Sequence, residues 1–324
     1  MGEPDSVDRS GDRTDRRGCM SDRHILLVSH TGRQDSIDAA VEVCDLLHAA
    51  GLVPVMPFDE YADVRRAEAS VGQVDILNVD VQADQLEIVI VLGGDGTILR
   101  AAELVRGTGA PIVGVNLGHV GFLAESERDG LHATVERALS GDYKVEERVT
   151  LQVDVVVGHE VVYSSWALNE ATIEKASRER MLEVVTEVDG RPLSSFGCDG
   201  VVVSTPTGST AYSFSGGGPV VWPDVDALLM VPLSAHALFS RPIVVGPDRV
   251  LAVEVLRRTS GVGVLWCDGR RTHDLPPGAR VEVRRSPDPV RVARLKDAPF
   301  TDRLVAKFQL PVAGWRGPAT EDDA

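Results

Sequence analysis

The chain has 324 residues, 43% of them hydrophobic, the proportion of an ordinary globular protein and a length sufficient for two domains with separate cores. Its 33 Lys and Arg stand against 49 Asp and Glu, a formal net charge of −16 that repels nucleic acid and anionic membrane surfaces and excludes both as general partners. An acidic chain that handles phosphate must do so locally, through backbone amides, a few placed arginines or a divalent cation.

No window reaches the roughly 18 uninterrupted apolar residues of a membrane helix. The most apolar long segment, ALLMVPLSAHALF (227–239), is broken by Pro232, Ser234 and His236. Cys19, Cys44, Cys198 and Cys267 form no CxxC pair and no zinc spacing, which points to reduced thiols in a cytoplasmic protein. The histidines are dispersed and offer no metal cage. Residues 1–22 mix acidic and basic side chains, contain almost nothing apolar and lack the hydrophobic stretch of a secretory signal; they read as a disordered tail, with Met20 an alternative start.

In chain order, HILLVS (24–29) reads as a buried strand. DSIDAAVEVCDLLHAAG follows as a helix, with Ile37, Ala40, Val41, Cys44 and Leu47 at helical spacing, Asp35 or Ser36 as cap and Gly51 at the end. With LVPVMPF after it, this is a βαβ unit. Residues 59–87 are acidic and weakly patterned and predict an irregular connection. EIVIVL (87–92) is continuously apolar, as in a parallel strand covered on both faces. TILRAAELVRG reads as a helix over 97–106, PIVGV (111–115) as the next strand, and 128–140 as a helix. From 148 onward, TLQVDVVV, LAVEVL and VEVRR alternate apolar and polar residues, the mark of half-exposed antiparallel strands. FTDRLVAKFQL near the end reads as a short helix packing back on the first domain. The expected fold class is α/β: a Rossmann-like N-terminal domain with a parallel sheet over 23–147, which 302–324 can rejoin, and a mostly-β domain over 148–301.

Three stretches can carry chemistry. Gly93-Gly94-Asp95-Gly96-Thr97 lies between a buried strand and a helix, where glycines allow close approach and free amides favour an anion. It is neither a dinucleotide fingerprint, since Leu99 stands where GxGxxG needs glycine, nor a Walker loop, since no GK pair follows. A tight turn with Asp95 as helix cap explains the same residues. SFGCDGVVVSTPTGSTAYSFSGGGP (195–219) crowds hydroxyls, glycines and Tyr212 into one loop, able to bind a ribose or a base or simply to cross the surface. Asn169-Glu170 ends a strand and suits ribose hydroxyls, or is an ordinary solvated pair. Asp199 and Asp268, each followed by glycine, read first as turn signals, and Cys198 as structural.

Together and in order, GGDGT (93–97), NLGHVGF (116–122), Asn169-Glu170 and DGVVVSTPTGSTAYSFS (199–215) resemble the NAD kinase family from about residue 24 to about residue 310. GGDGT alone is shared with diacylglycerol, sphingoid and phosphofructo-type kinases, whereas STPTGSTAYS is specific. Gly216 departs from the alanine usual in the family. The resemblance implies phosphoryl transfer from ATP, or inorganic polyphosphate, to the 2′-hydroxyl of the adenosine ribose of NAD. It implies a divalent cation, Mg or Mn, held mainly by the donor phosphates, and a homodimer or homotetramer. By similarity Asp95 is the proton acceptor, Gly93, Gly94 and Thr97 form the phosphate loop, and Gly96 lies against the ligand. Asn169 and Glu170 hold the NAD adenosine, and Asp199 contacts the nicotinamide side. Thr210, Ala211, Tyr212, Ser213, Phe214 and Ser215 shape the adenine pocket, and Arg100 and Arg180 supply basic contacts. The rival readings are a non-catalytic dinucleotide sensor, a lipid kinase of diacylglycerol type, which the charge disfavours, and a Rossmann oxidoreductase, which the broken fingerprint disfavours.

Overall fold

The structure is a computed structural model that describes residues 23–118, 121–177, 180–259, 261–295 and 298–312. The tail read over 1–22, His119 and Val120 of the second glycine loop, and residues 313–324 lie outside the described residues.

The first sheet has eight strands. Five run in the order Asp75–Ile76, Pro54–Met56, His24–Ser29, Leu86–Leu92 and Ile112–Asn116, all parallel. Strand Leu86–Leu92 shows why its sequence is apolar at every position from Ile88 to Leu92. Ile88, Ile90 and Leu92 point into one apolar cluster with helices α1 (Gln34–Ala49) and α4 (Leu131–Ser140), while Val89 and Val91 join Ile98, Leu99 and Ala102 of α3 (Asp95–Leu104) on the other face. Side chains alternating across a strand covered on both faces must be apolar at every position.

The 59–87 connection is not irregular: it contains α2 (Phe58–Arg66), the edge strand Asp75–Ile76 and a short 3-10 turn at Ala83–Gln85. Helix α2 buries only Glu60 and Val64, so its apolar stripe is too thin to read as helical spacing. Its other signals were in place, with Asp59 and Glu60 in the first turn and Arg65 and Arg66 in the last, matching the helix dipole. Neither Asp35 nor Ser36 caps α1, whose N-cap is Arg33 without a side-chain bond. Helix α3 starts two residues before the expected position, at Asp95.

The remaining strands build two six-stranded antiparallel sheets. Alternate residues of both, including Ala171, Ile173, Val201, Val203 and Leu265 on one and Val153, Val184, Val253 and Val281 on the other, interdigitate in a single core. The α/β half with a parallel sheet and the β-rich half expected from the sequence are both present. One strand crosses between them: Val290–Arg294, within the stretch read as the β domain, pairs with Ile112–Asn116 and with Lys144–Arg148 in the first sheet. Helix α5 (Tyr212–Ser215) sits in the STPTGSTAYS loop. The last helix, α6 (Phe300–Phe308), lays Phe300 and Phe308 against Phe122, with ring centroids 5.8 and 5.9 Å apart, and also touches Trp222 and Phe214 of the other half. Among the described residues no helix is long and apolar enough to cross a membrane.

Candidate active site

The GGDGT loop follows strand Leu86–Leu92 into α3, and its three glycines differ in kind. Gly93 has φ +153°, and a Cβ there would lie 2.4 Å from Thr97 Oγ1, so the turn itself demands glycine. Beside Gly94 and Gly96 a Cβ would meet nothing within 4 Å, and neither has a positive φ. Protein packing explains the first glycine, whereas the other two leave open space against the backbone. The amides at this end of α3 face that space, with the helix dipole behind them.

Asp95 is the first residue of α3, and Gly94 is its cap. The Asp95 carboxylate instead accepts hydrogen bonds from the backbone N–H groups of Phe122 at 3.2 Å and Leu123 at 3.1 Å. A Cβ on Gly121 would lie 2.5 Å from Asp95 Oδ1, so the NLGHVGF loop closes directly over the carboxylate. The two glycine-rich motifs, apart in sequence, thus form one unit. Arg100, one turn further along α3, is paired with Glu60 Oε1 at 3.1 Å. Glu60 is 1% exposed, accepts the Ser29 N–H at 2.6 Å, and is pushed up to about 7 by its burial. The ion pair ties α2 and the end of the first strand to α3.

The second half of the site is built on Asn169 and Glu170, both buried at the turn between strands Glu160–Ala167 and Glu170–Lys175. Asp268 shapes this turn. Its carboxylate accepts the N–H groups of Leu168 at 2.9 Å, Asn169 at 2.7 Å and Glu170 at 3.3 Å, and pairs with Arg271 at 3.0 Å. From the other side, the Thr205 hydroxyl donates to Leu168 O at 2.6 Å and the Thr205 N–H to Asn169 O at 2.9 Å. Gly208 passes so close that a Cβ would sit 2.0 Å from Asn169 O. Burial, with the Asp268 charge beside it, pushes the Glu170 carboxyl up to about 8. Three amides and a guanidinium hold the charge of Asp268, whereas among the described residues Glu170 accepts the Tyr212 N–H alone, at 3.4 Å, so the proton of the pair belongs on Glu170.

Around this floor, Thr210, Ala211, Tyr212, Phe214 and Ser215 are accessible, while Ser213 is fully buried against Gly218. Asp199 and Arg180 are not brought to Glu170. Glu170 pairs with Ser204 and Glu174 with Gly200, which puts Asp199 at the far end of the ladder, bonded to Lys175 Nζ at 2.5 Å. Arg180 is exposed beyond that end, with its Cβ 3.9 Å from a Cβ position on Gly261. Cys198 is buried, its thiol pushed up to about 12 by burial, and takes no part. A cavity of about 450 Å³ opens beside Gly121 and Asn116, and its lining includes the acidic side chains Glu125, Glu127, Asp129 and Asp302 together with Arg303. Phe308 touches both Phe122, whose N–H bonds Asp95, and Phe214 of the loop whose Tyr212 N–H bonds Glu170.

Asp268, Thr205 and Glu60 escaped the sequence reading. Asp268 carries an Asp-Gly signal no different from that of Asp199, and each of the three reaches a backbone partner at least 31 residues away in the chain.

Comparisons with known proteins identify the family. The family described as ATP-NAD kinase N-terminal domain matches residues 25–143, and the ATP-NAD kinase C-terminal domain matches residues 168–295. The NAD kinase of Leifsonia xyli is 69% identical over 300 residues, covering 93% of this chain and 99% of that protein. The NAD kinase of Thermobifida fusca is 56% identical, covering 98% and 99%. Among solved structures, yeast NADH kinase complexed with NADH superposes with a TM-score of 0.80 at 20% identity, covering 90% of this chain and 89% of that one. An NAD kinase from Archaeoglobus fulgidus in complex with ATP gives a TM-score of 0.63 at 24% identity, covering 89% and 98%. The chain belongs to the NAD kinase family.

Proposed function

We propose that this kinase moves the terminal phosphoryl group of ATP onto the 2′-hydroxyl of the adenosine ribose of NAD, producing NADP. The observation that carries the reading is the Asp95 carboxylate, held by the Phe122 and Leu123 N–H groups beside the open backbone of Gly94 and Gly96. A ribose hydroxyl is a weak nucleophile; a positioned carboxylate that takes its proton as the O–P bond forms contributes about 10²–10⁴-fold. Gly94, Gly96 and the first amides of α3 receive the donor phosphates, and Asn169 and Glu170 hold the adenosine ribose. Thr210, Ala211, Tyr212, Phe214 and Ser215 border the adenine, and Asp199 meets the other end of an extended dinucleotide. Arg100 and Ser213 act through packing in this reading, and Arg180 supplies charge at the rim.

Among the described residues no group of three His, Cys, Asp or Glu side chains is placed to hold a metal ion. The divalent cation, Mg or Mn, therefore enters with the triphosphate as part of the substrate and neutralises charge on its oxygens. A glycine cradle of this kind reads phosphates and not a base, which supports inorganic polyphosphate as an alternative donor. The buried, unpaired Cys44, Cys198 and Cys267 support a cytoplasmic setting, and a homodimer or homotetramer is the working assembly.

The test is direct. Purified protein is incubated with NAD, ATP and magnesium, and NADP is assayed with an NADP-specific dehydrogenase. NADP must accumulate with time and enzyme; none with either ATP or polyphosphate, under magnesium or manganese, overturns the reading.

A further inference from the structure

The Asp268-Gly269 turn joins strands Gly263–Cys267 and Arg271–Leu275, and both turn residues have positive φ, 53° and 63°. A hairpin turn needs nothing more from an aspartate than this backbone. Yet the Asp268 side chain is 2% exposed and folds back onto three consecutive amides, those of Leu168, Asn169 and Glu170. Three N–H groups converge on one carboxylate only when the backbone between them has a single shape, so Asp268 dictates how Asn169 and Glu170 are presented.

Arg271 continues the connection. Its Nη2 donates to Asp268 at 3.0 Å and to the Trp166 carbonyl at 2.8 Å, and its Nη1 donates to Glu103, which also accepts Arg270 Nε at 3.0 Å. Glu103 lies on α3, eight residues after Asp95 and on the order of 12 Å further along the same helix. The Trp166 ring is stacked between the guanidinium of Arg106 at 4.0 Å and that of Arg271 at 4.6 Å, and Leu168 packs in the apolar cluster of α3. A planar guanidinium bonded at several points transmits orientation as well as charge.

We infer that Asp268 and Arg271 are positioning residues for the transfer: with Glu103 they clamp the backbone carrying Asn169 and Glu170 to the helix that begins with Asp95. This deepens the proposed function and rests on the roles it gives Asp95 and Glu170. The acceptor and its proton acceptor sit on different halves of the molecule, and an error of about 1 Å in their alignment costs on the order of a hundredfold in rate.

Steady-state kinetics of the full chain test the clamp, with thermal melts to establish that each variant is folded. Glu103→Gln keeps the side chain's size at a partly exposed position and should lower kcat about tenfold while leaving the KM for NAD within about twofold. Arg271→Lys, which keeps the charge and loses the fork, should do the same, and the double variant should lose no more than either alone, since both break one clamp. Asp268→Asn turns an amide NH₂ toward backbone donors and should raise the KM for NAD about tenfold as well. Wild-type kcat in both Glu103→Gln and Arg271→Lys, multiplying losses in the double variant, or a wild-type KM for NAD in Asp268→Asn overturns the clamp. If Asp268→Asn does not fold, the other two variants decide. Asp95→Asn runs in parallel: its turnover at the wild-type rate would sink the site roles themselves, whereas its inactivity alongside normal Glu103→Gln and Arg271→Lys sinks the clamp alone.

Discussion

The two halves of the site are held by opposite means. On the side proposed for the donor, backbone is what is offered: Gly94 and Gly96 without neighbours, amides at a helix start, and a carboxylate steadied by two N–H groups from a second loop. On the acceptor side, side chains shape backbone: a buried Asp268, a buried Thr205 and a glycine in hard contact fix the Asn169-Glu170 turn. The first half is open at Gly94 and Gly96, although Gly93 and Gly121 are fixed by packing. The second is closed, and its shape depends on polar groups out of reach of water.

The sharpest break in that contrast is Asp95→Asn, which should cut kcat about 10²–10⁴-fold while NAD still binds, as measured by calorimetric titration. Next come paired glycine substitutions. Gly94→Ala places a methyl in open space, so the melting temperature and the KM for NAD should hold while turnover falls at least tenfold by obstruction of the donor phosphates. Gly208→Ala forces its methyl into Asn169 O, and should cost about 1–3 kcal/mol in denaturant unfolding and weaken NAD binding. If both alanines behaved alike, the two halves would not be built differently.

A smaller effect separates the halves by pH. Glu170 rises from its ordinary 4.5 to about 8 on folding, so between those values the native protein binds the extra proton. Stability contributed by the protonated carboxyl is full below about 4.5 and falls as pH rises to about 8. Glu60, raised from 4.5 to about 7, adds a similar slope, so the measurement is a difference. Melting temperature against pH should flatten in Glu170→Gln relative to wild type, and an identical slope would remove Glu170 as its source. The smallest effect belongs to Cys198→Ala, which should leave kcat and KM unchanged and cost about 1 kcal/mol of packing.

What could be read in advance followed local physics. The apolar IVIVL run (88–92), the alternation after residue 148 and the glycine motifs each carry their cause within a few residues. The order of motifs pointed to Asp95 and Glu170 before any geometry was known. Side chains whose partners arrive from elsewhere stayed hidden. Glu125, buried between Arg294 at 2.6 Å and Arg303 at 2.5 Å, lies in a loop that gives no hint of either. Helix α2 was missed because it buries one apolar side chain, and Asp268 because a turn accounts for Asp-Gly equally well.

The crossing strand bears on how the chain comes to be folded at all. Ile112–Asn116 lies between Leu86–Leu92 and Val290–Arg294, and among the described residues Lys144–Arg148 joins that sheet only through Val290–Arg294. During synthesis, this side of the first sheet stays incomplete until residue 290 and beyond have left the ribosome. A fragment ending near residue 147 would leave that side incomplete permanently and invite pairing with other chains. The two halves are therefore not modules joined by a linker. The last strand among the described residues completes the first sheet, so a cut before residue 290 removes part of the sheet that begins at residue 24.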